Sequence, residues 1–155
     1  MSSGKRREVV TIEGTNVTIE RESSPIQNLG VVAGMELFKY LSVLDPKFRP
    51  ENYDKADGSP LRLFDSDALK IDVSKRSKED MGFWHRNVDY NEIIFCFRGA
   101  LRWETEMATV TLREGEMILI PKGIAHRSLL CEESAPENIL IELKIRDKLT
   151  YVGGA

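Results

Sequence analysis

His85-Arg86-Asn87-Val88-Asp89-Tyr90-Asn91-Glu92, closed by Gly99, and Gly115 followed by Pro121-Lys122-Gly123-Ile124-Ala125-His126 are the two stretches that decide how this chain is read. The chain has 155 residues and two histidines, and each stretch holds one of them. Histidine is the commonest metal ligand among side chains. Two histidines gathered at metal-ligand spacing, with none scattered elsewhere, point to a metal site rather than to core packing.

Around these stretches runs a train of short strands. Strands are predicted at about 83–88, 91–98, 100–106, 108–112, 116–120, 124–131 and 138–145, with turn residues between most of them. Such spacing predicts an antiparallel sandwich or barrel. Upstream, residues 68–73 alternate as a strand, and 74–80 read as a charged turn. Residues 8–21 hold two β-branched runs separated by Gly14-Thr15-Asn16, a hairpin pattern. Residues 31–44 suit a short helix or a strand equally, and Pro46 and Pro50 end the segment. Residues 50–61 read as a polar loop with Asp57-Gly58 and Pro60, long enough to border a site, and whether 31–61 form a lid is left open by the sequence. The tail Gly153-Gly154-Ala155 is expected to fray.

The order and spacing of the two opening stretches resemble the two motifs of the cupin superfamily. His85, Glu92 and Gly99 match the first motif; Gly115, Pro121, Gly123 and His126 match the second. Asn87 stands where the family has a second histidine, and Leu130 where it has an asparagine. The nearest glycine ahead of His85 is Gly82, off the family's usual position. The match covers about 82–130, roughly a third of the chain. It implies an all-β fold, a double-stranded β-helix or jelly-roll barrel, with an N-terminal hairpin and at most short helices. A single cupin domain over 1–155 is the expectation. Within the superfamily, His85-Arg86-Asn87 with Asp89-Tyr90 and Glu92, and Ile120-Pro121 with His126-Arg127, resemble the homogentisate dioxygenase-like branch. That resemblance implies a ferrous ion held by His85, Glu92 and His126. The known ring-cleaving enzymes of that branch are much longer than this chain.

Two imidazoles and one carboxylate on one side of a metal leave the opposite positions open for a bidentate substrate and dioxygen. Iron(II) is expected, and zinc, manganese or nickel suit the same donors. Asn87 can coordinate, hold a metal-bound water, or orient Glu92. Ser128 and Leu130 share the face of His126 and are expected on the pocket floor. Tyr90 and Arg127 flank the ligands and are candidates for acid–base help or for gripping a substrate carboxylate. Phe83, Trp84 and Trp103 read as core or dimer-face aromatics. No phosphate loop and no serine–histidine–aspartate pattern is present, so a general base must be a carboxylate, Tyr90 or metal-bound hydroxide.

Net charge is −3, which gives no reason to expect nucleic acid. No apolar run approaches the roughly 20 residues of a membrane span, and the N-terminus lacks the apolar core of a signal peptide. Cys96 and Cys131 form no Cys-x-x-Cys pair, so the default setting is reduced and cytoplasmic. Cys96 reads as a buried apolar residue. The hairpin can add to a neighbour's sheet edge, a route to a homodimer. The expected function is dioxygenase-type oxidation of a small metal-chelating organic acid or phenol. The alternatives are a metal-dependent isomerase, lyase or cyclase, or a small-ligand-binding module without catalysis.

Overall fold

The computed structural model describes residues 4–23, 26–54, 59–77, 80–81 and 83–154. Gly82, residues 55–58 of the predicted loop, 78–79 of the predicted turn and the terminal Ala155 lie outside the described residues. The chain forms two compact units, Met1–Ser42 and Val43–Ala155.

In the first unit, β1 (Lys5–Ile12) and β2 (Thr15–Ser23) form the predicted hairpin, with Ile12 opposite Thr15. Glu13 and Gly14 both take positive φ, at 49° and 81°. That is the two-residue turn whose twist matches the flanking strands. A third strand, β3 (Ile26–Ala33), pairs with β2. The segment 31–44, open between helix and strand, ends β3, makes one 3₁₀ turn at Met35–Leu37, and continues without regular structure.

The second unit holds two antiparallel sheets. One has five strands in the order β4 (Leu61–Asp65), β5 (Leu69–Arg76), β11 (Asn138–Ile145), β6 (Asn91–Arg98) and β9 (Met117–Ile120). The other has three, in the order β10 (His126–Leu129), β7 (Ala100–Thr105) and β8 (Thr109–Arg113). Ile94, Cys96, Leu101, Trp103, Leu112, Ile120 and Leu140, drawn from both sheets, form one buried cluster. The only helical segments among the described residues are short 3₁₀ turns. The all-β jelly-roll reading holds.

Two local expectations need correction. The predicted strand at 83–88 is reduced to a single bridge between His85 and His126. The Asn87 side chain ends it: its Oδ1 accepts from the backbone N–H of Asp89 (3.1 Å) and Tyr90 (3.0 Å), turning the chain. At the other end, β5 runs through Ser74, Lys75 and Arg76, where a charged turn was predicted. All three residues are buried. Lys75 is accommodated because its Nζ donates to the carbonyl of Asp45 (3.2 Å).

Register fixes which residues share the inner face of the five-stranded sheet. Asn138, Leu140 and Glu142 of β11 face Arg76, Ser74 and Asp72 of β5. Leu140, Glu142 and Lys144 face Cys96, Ile94 and Glu92 of β6. One face therefore carries an apolar patch beside a polar one. Asn138 closes one edge of this arrangement. Its Oδ1 accepts from the N–H of Ala100 and Ala135, and its Nδ2 donates to the carbonyls of Arg76 and Ala135. Gly99 makes room for it: at φ 80°, an added Cβ would lie 2.1 Å from Asn138 Oδ1. The first motif needs glycine here for both reasons.

Candidate metal and substrate site

His85, Asn87 and Glu92 line one cavity of about 270 Å³ together with Arg76, Trp103, Glu142 and Lys144. Each ligand candidate arrives on a different piece of backbone. Glu92 is the second residue of β6 and His126 the first of β10. His85 is bound to His126 through the backbone, each accepting the other's N–H (3.1 and 2.8 Å). The two imidazoles meet edge to face at 4.4 Å between centroids. Gly123 donates to the Asn87 carbonyl (2.8 Å), tying the second motif's turn to the first motif.

The donor atoms are prepared by their neighbours. His126 Nδ1 lies 3.0 Å from the Ile124 carbonyl, which can only accept, so Nδ1 carries a proton. Nε2 is left to face Glu92 Oε2 at 2.9 Å. Burial is the largest influence on His126 and would lower its pKa, but the hydrogen bond and charge of Glu92 and the Ile124 carbonyl together hold it above the ordinary value. Burial is likewise the largest influence on Glu92 and would raise its carboxyl, but His126, Lys144 and Asn87 together hold it below its ordinary value and keep it ionised. His85 is lowered, by burial first and then by His126, so it stands as a neutral imidazole. Its Nδ1 is buried with no hydrogen-bond partner among the described residues.

Among the described residues, no three His, Cys, Asp or Glu side chains stand grouped around a ready point for a metal. His126 and Glu92 are instead drawn onto each other. The donor chemistry fits a divalent ion all the same: one ionised carboxylate, one neutral imidazole, and a second imidazole fixed by a backbone carbonyl. Metal binding would replace the proton that His126 and Glu92 share.

Asn87 is held at both ends of its amide. Its amide oxygen is engaged by two backbone N–H groups, while Nδ2 donates to Glu92 Oε1 (3.4 Å). These bonds turn the chain and link Asn87 to the Glu92 carboxylate.

The remaining candidates scatter. Ser128 is buried beside His126 on β10, its Oγ without a partner among the described residues. Leu130 packs against the apolar cluster. Tyr90 is buried, with its hydroxyl accepting from Arg146 (2.8 Å). Arg127 donates to Glu104 (2.8 Å) and lies over the Trp84 ring. Neither is among the residues that line the cavity. Cys96 is fully buried, and burial pushes its thiol up to about 11.

The cavity wall also holds residues that sequence reading missed. Arg76, Glu142 and Lys144 belong to the polar patch of the sheet, and Trp103 faces them from β7. Behind Lys144 lies Asp72, fully buried and bonded to Arg62 (2.5 Å) and Lys144 (2.7 Å). Burial alone would raise the Asp72 carboxyl, and those two bonds outweigh it and hold it below its usual range. Glu142 is pushed the other way, chiefly by burial. The period-2 pattern of 138–145 was the available signal for Glu142 and Lys144. It gives a shared face without saying which face is inside.

Comparison with solved structures gives this arrangement its context. A cupin-2 domain protein from Shewanella frigidimarina aligns with a TM-score of 0.53 at 26% identity, covering 73% of this chain and 100% of that one. This chain has the cupin fold. A protein from Neisseria meningitidis aligns equally well, with a TM-score of 0.53 at 18% identity over 69% of this chain and 99% of its own. In sequence, a Saccharolobus solfataricus protein provisionally named a dioxygenase is 27% identical over 66 residues, 43% of this chain. The match spans 17% of that relative's length. No family model matches the chain. No helix among the described residues is long and apolar enough to cross a membrane.

Proposed function

We propose that this cupin is a metal-dependent enzyme of the non-haem iron type, oxidising a small metal-chelating organic acid or phenol with dioxygen. The observation that carries this reading is that His126 lies against both Glu92 and His85, and that His85 and Glu92 line one polar cavity. Those three residues would hold the ion. A ferrous ion there would supply open coordination positions for a chelating substrate and dioxygen. Asn87 keeps the Glu92 carboxylate oriented, and the Ile124 carbonyl keeps His126 Nε2 turned to the site. The partial likeness to a provisionally named dioxygenase supports the reaction class. Elemental analysis of the purified protein tests it: about one iron per chain is expected, lost in His126→Ala together with dioxygen consumption. Full activity in that variant would exclude these residues as the site.

One observation favours a second reading, an isomerase or lyase that needs no dioxygen. Glu142, biased toward its neutral form on the cavity wall, is suited to hand a proton to a substrate. Turnover that continues under nitrogen, with zinc, manganese or nickel in the protein, would move the assignment there.

A further inference from the structure

We propose that Asp72 is a positioning residue for the metal site: it holds the Lys144 ammonium away from Glu92, so that the Glu92 carboxylate stays open to a divalent cation. This rests on His85, Glu92 and His126 being the metal-binding residues.

Strand register sets up the contest. Lys144 of β11 stands directly opposite Glu92 of β6, on the face that lines the cavity. Side chains directly opposite on an antiparallel pair have Cβ atoms roughly 5 Å apart, and unlike charges there attract. Asp72 of β5 lies opposite Glu142, so it meets Lys144 only on the diagonal, at roughly 7–8 Å. Position alone therefore favours a Lys144–Glu92 pair. The structure shows the other pair. Lys144 Nζ donates to Asp72 Oδ2 (2.7 Å), and among the described residues its ion pair is with Asp72 and not with Glu92. Glu92 pairs instead with His126 (2.9 Å).

Asp72 prevails because it is anchored and dry. Arg62, opposite it on β4, grips both its oxygens, Nε to Oδ1 (2.5 Å) and Nη2 to Oδ2 (3.3 Å). Asp72 is fully buried, and attraction between charges strengthens as water is excluded. Lys70, opposite Lys144 on β5, does not compete for Asp72, because Asp65 takes its ammonium. The Lys144 side chain is 16% exposed, at the cavity wall, and its flexible stem has room to swing once its holder is lost.

The consequence falls on the metal. An ammonium seated on Glu92 would have to be displaced before a cation could bind, and its charge would repel that cation. Held on Asp72, Lys144 leaves the carboxylate to His126, Asn87 and an ion.

Zinc(II), which suits the same donors, is titrated in competition with a chelating dye into the native chain, Asp72→Asn, Lys144→Met and the double variant. Asp72→Asn should bind zinc about tenfold or more weakly than the native chain. Lys144→Met should bind it at least as tightly as the native chain. The double variant should return to within about twofold of native, because the intruding ammonium is gone. A crystal structure of Asp72→Asn should show Lys144 Nζ on the Glu92 carboxylate. Native affinity in Asp72→Asn, a double variant as weak as Asp72→Asn, or Lys144 found at residue 72 or on Glu142 in that crystal structure would each overturn the proposal. If Asp72→Asn does not fold, Lys144→Met decides: zinc binding at or above the native affinity upholds the proposal, and weaker binding overturns it. A native chain that takes up no metal would remove the metal reading and this inference with it. Native uptake that Asp72→Asn leaves unchanged would remove this inference alone.

Discussion

The inner face of the five-stranded sheet is two surfaces on one scaffold. On β6 and β11, Ile94, Cys96 and Leu140 are sealed into the apolar cluster. A residue or two along the same strands, and across to β5, the face carries Asp72, Ser74, Arg76, Glu92, Glu142 and Lys144. Burial does not separate them: Asp72 and Ile94 are both 0% exposed. The apolar patch follows from the hydrophobic effect alone. The polar patch runs against it, because an ionised group in a protein interior costs several kcal/mol unless partnered. A chain that keeps it gains something other than stability from it.

The sharpest way to break the comparison is to remove one member of the polar patch. Asp72→Ala leaves Lys144 beside an empty partner and should cost about 3–5 kcal/mol in urea unfolding. The matching change in the apolar patch, Leu140→Ala, should cost about 3 kcal/mol through lost burial and a cavity. Metal content per chain should then stay unchanged. If Leu140→Ala strips the metal as fully as His126→Ala, the two patches are one functional unit and the contrast fails. A smaller effect is expected at Asn87. Asn87→Ala should weaken metal binding about tenfold by releasing Glu92, measured by competition with a chelating dye. Retained affinity would mean that the carboxylate is oriented without it.

The mildest test is acid titration. The folded Asp72 carboxyl titrates below its ordinary value, so it contributes stability that is complete above the unfolded value of about 4. That contribution is lost as pH falls through the depressed folded value. Stability at neutral pH relative to pH near 3 should therefore fall less steeply in Asp72→Asn than in the native chain. Thermal melts across that range read the slope.

Much of the apolar half was legible in the sequence. The expected strands at 91–98 and 138–145 coincide with β6 and β11, because alternating β-branched residues there are bounded by Gly99 and by polar turns. The spacing that pairs His85 with Glu92, and Pro121-x-Gly123 with His126, located the metal candidates before any fold was known. The polar half was not legible. Ser74-Lys75-Arg76 has the composition of a turn, and nothing local shows that it continues a strand with Arg76 turned to a cavity. Glu142 and Lys144 are assigned to the inside only by cross-strand register with β5 and β6, a long-range property. Trp103 was read as a core or dimer-face aromatic, and it is buried; that its indole nitrogen lacks a hydrogen-bond partner among the described residues is visible only in coordinates.

Asn138 has a consequence for the timing of motion. Its single side chain binds Arg76, Ala100 and Ala135, residues that come from three separate segments. Those bonds form only when β5, the β6–β7 turn and the start of β11 are all in place. The amide protons of Ala100 and Ala135 should therefore exchange with solvent only when the whole barrel opens. They would be slow clocks at the first residue of a strand and in a loop, where exchange is ordinarily fast.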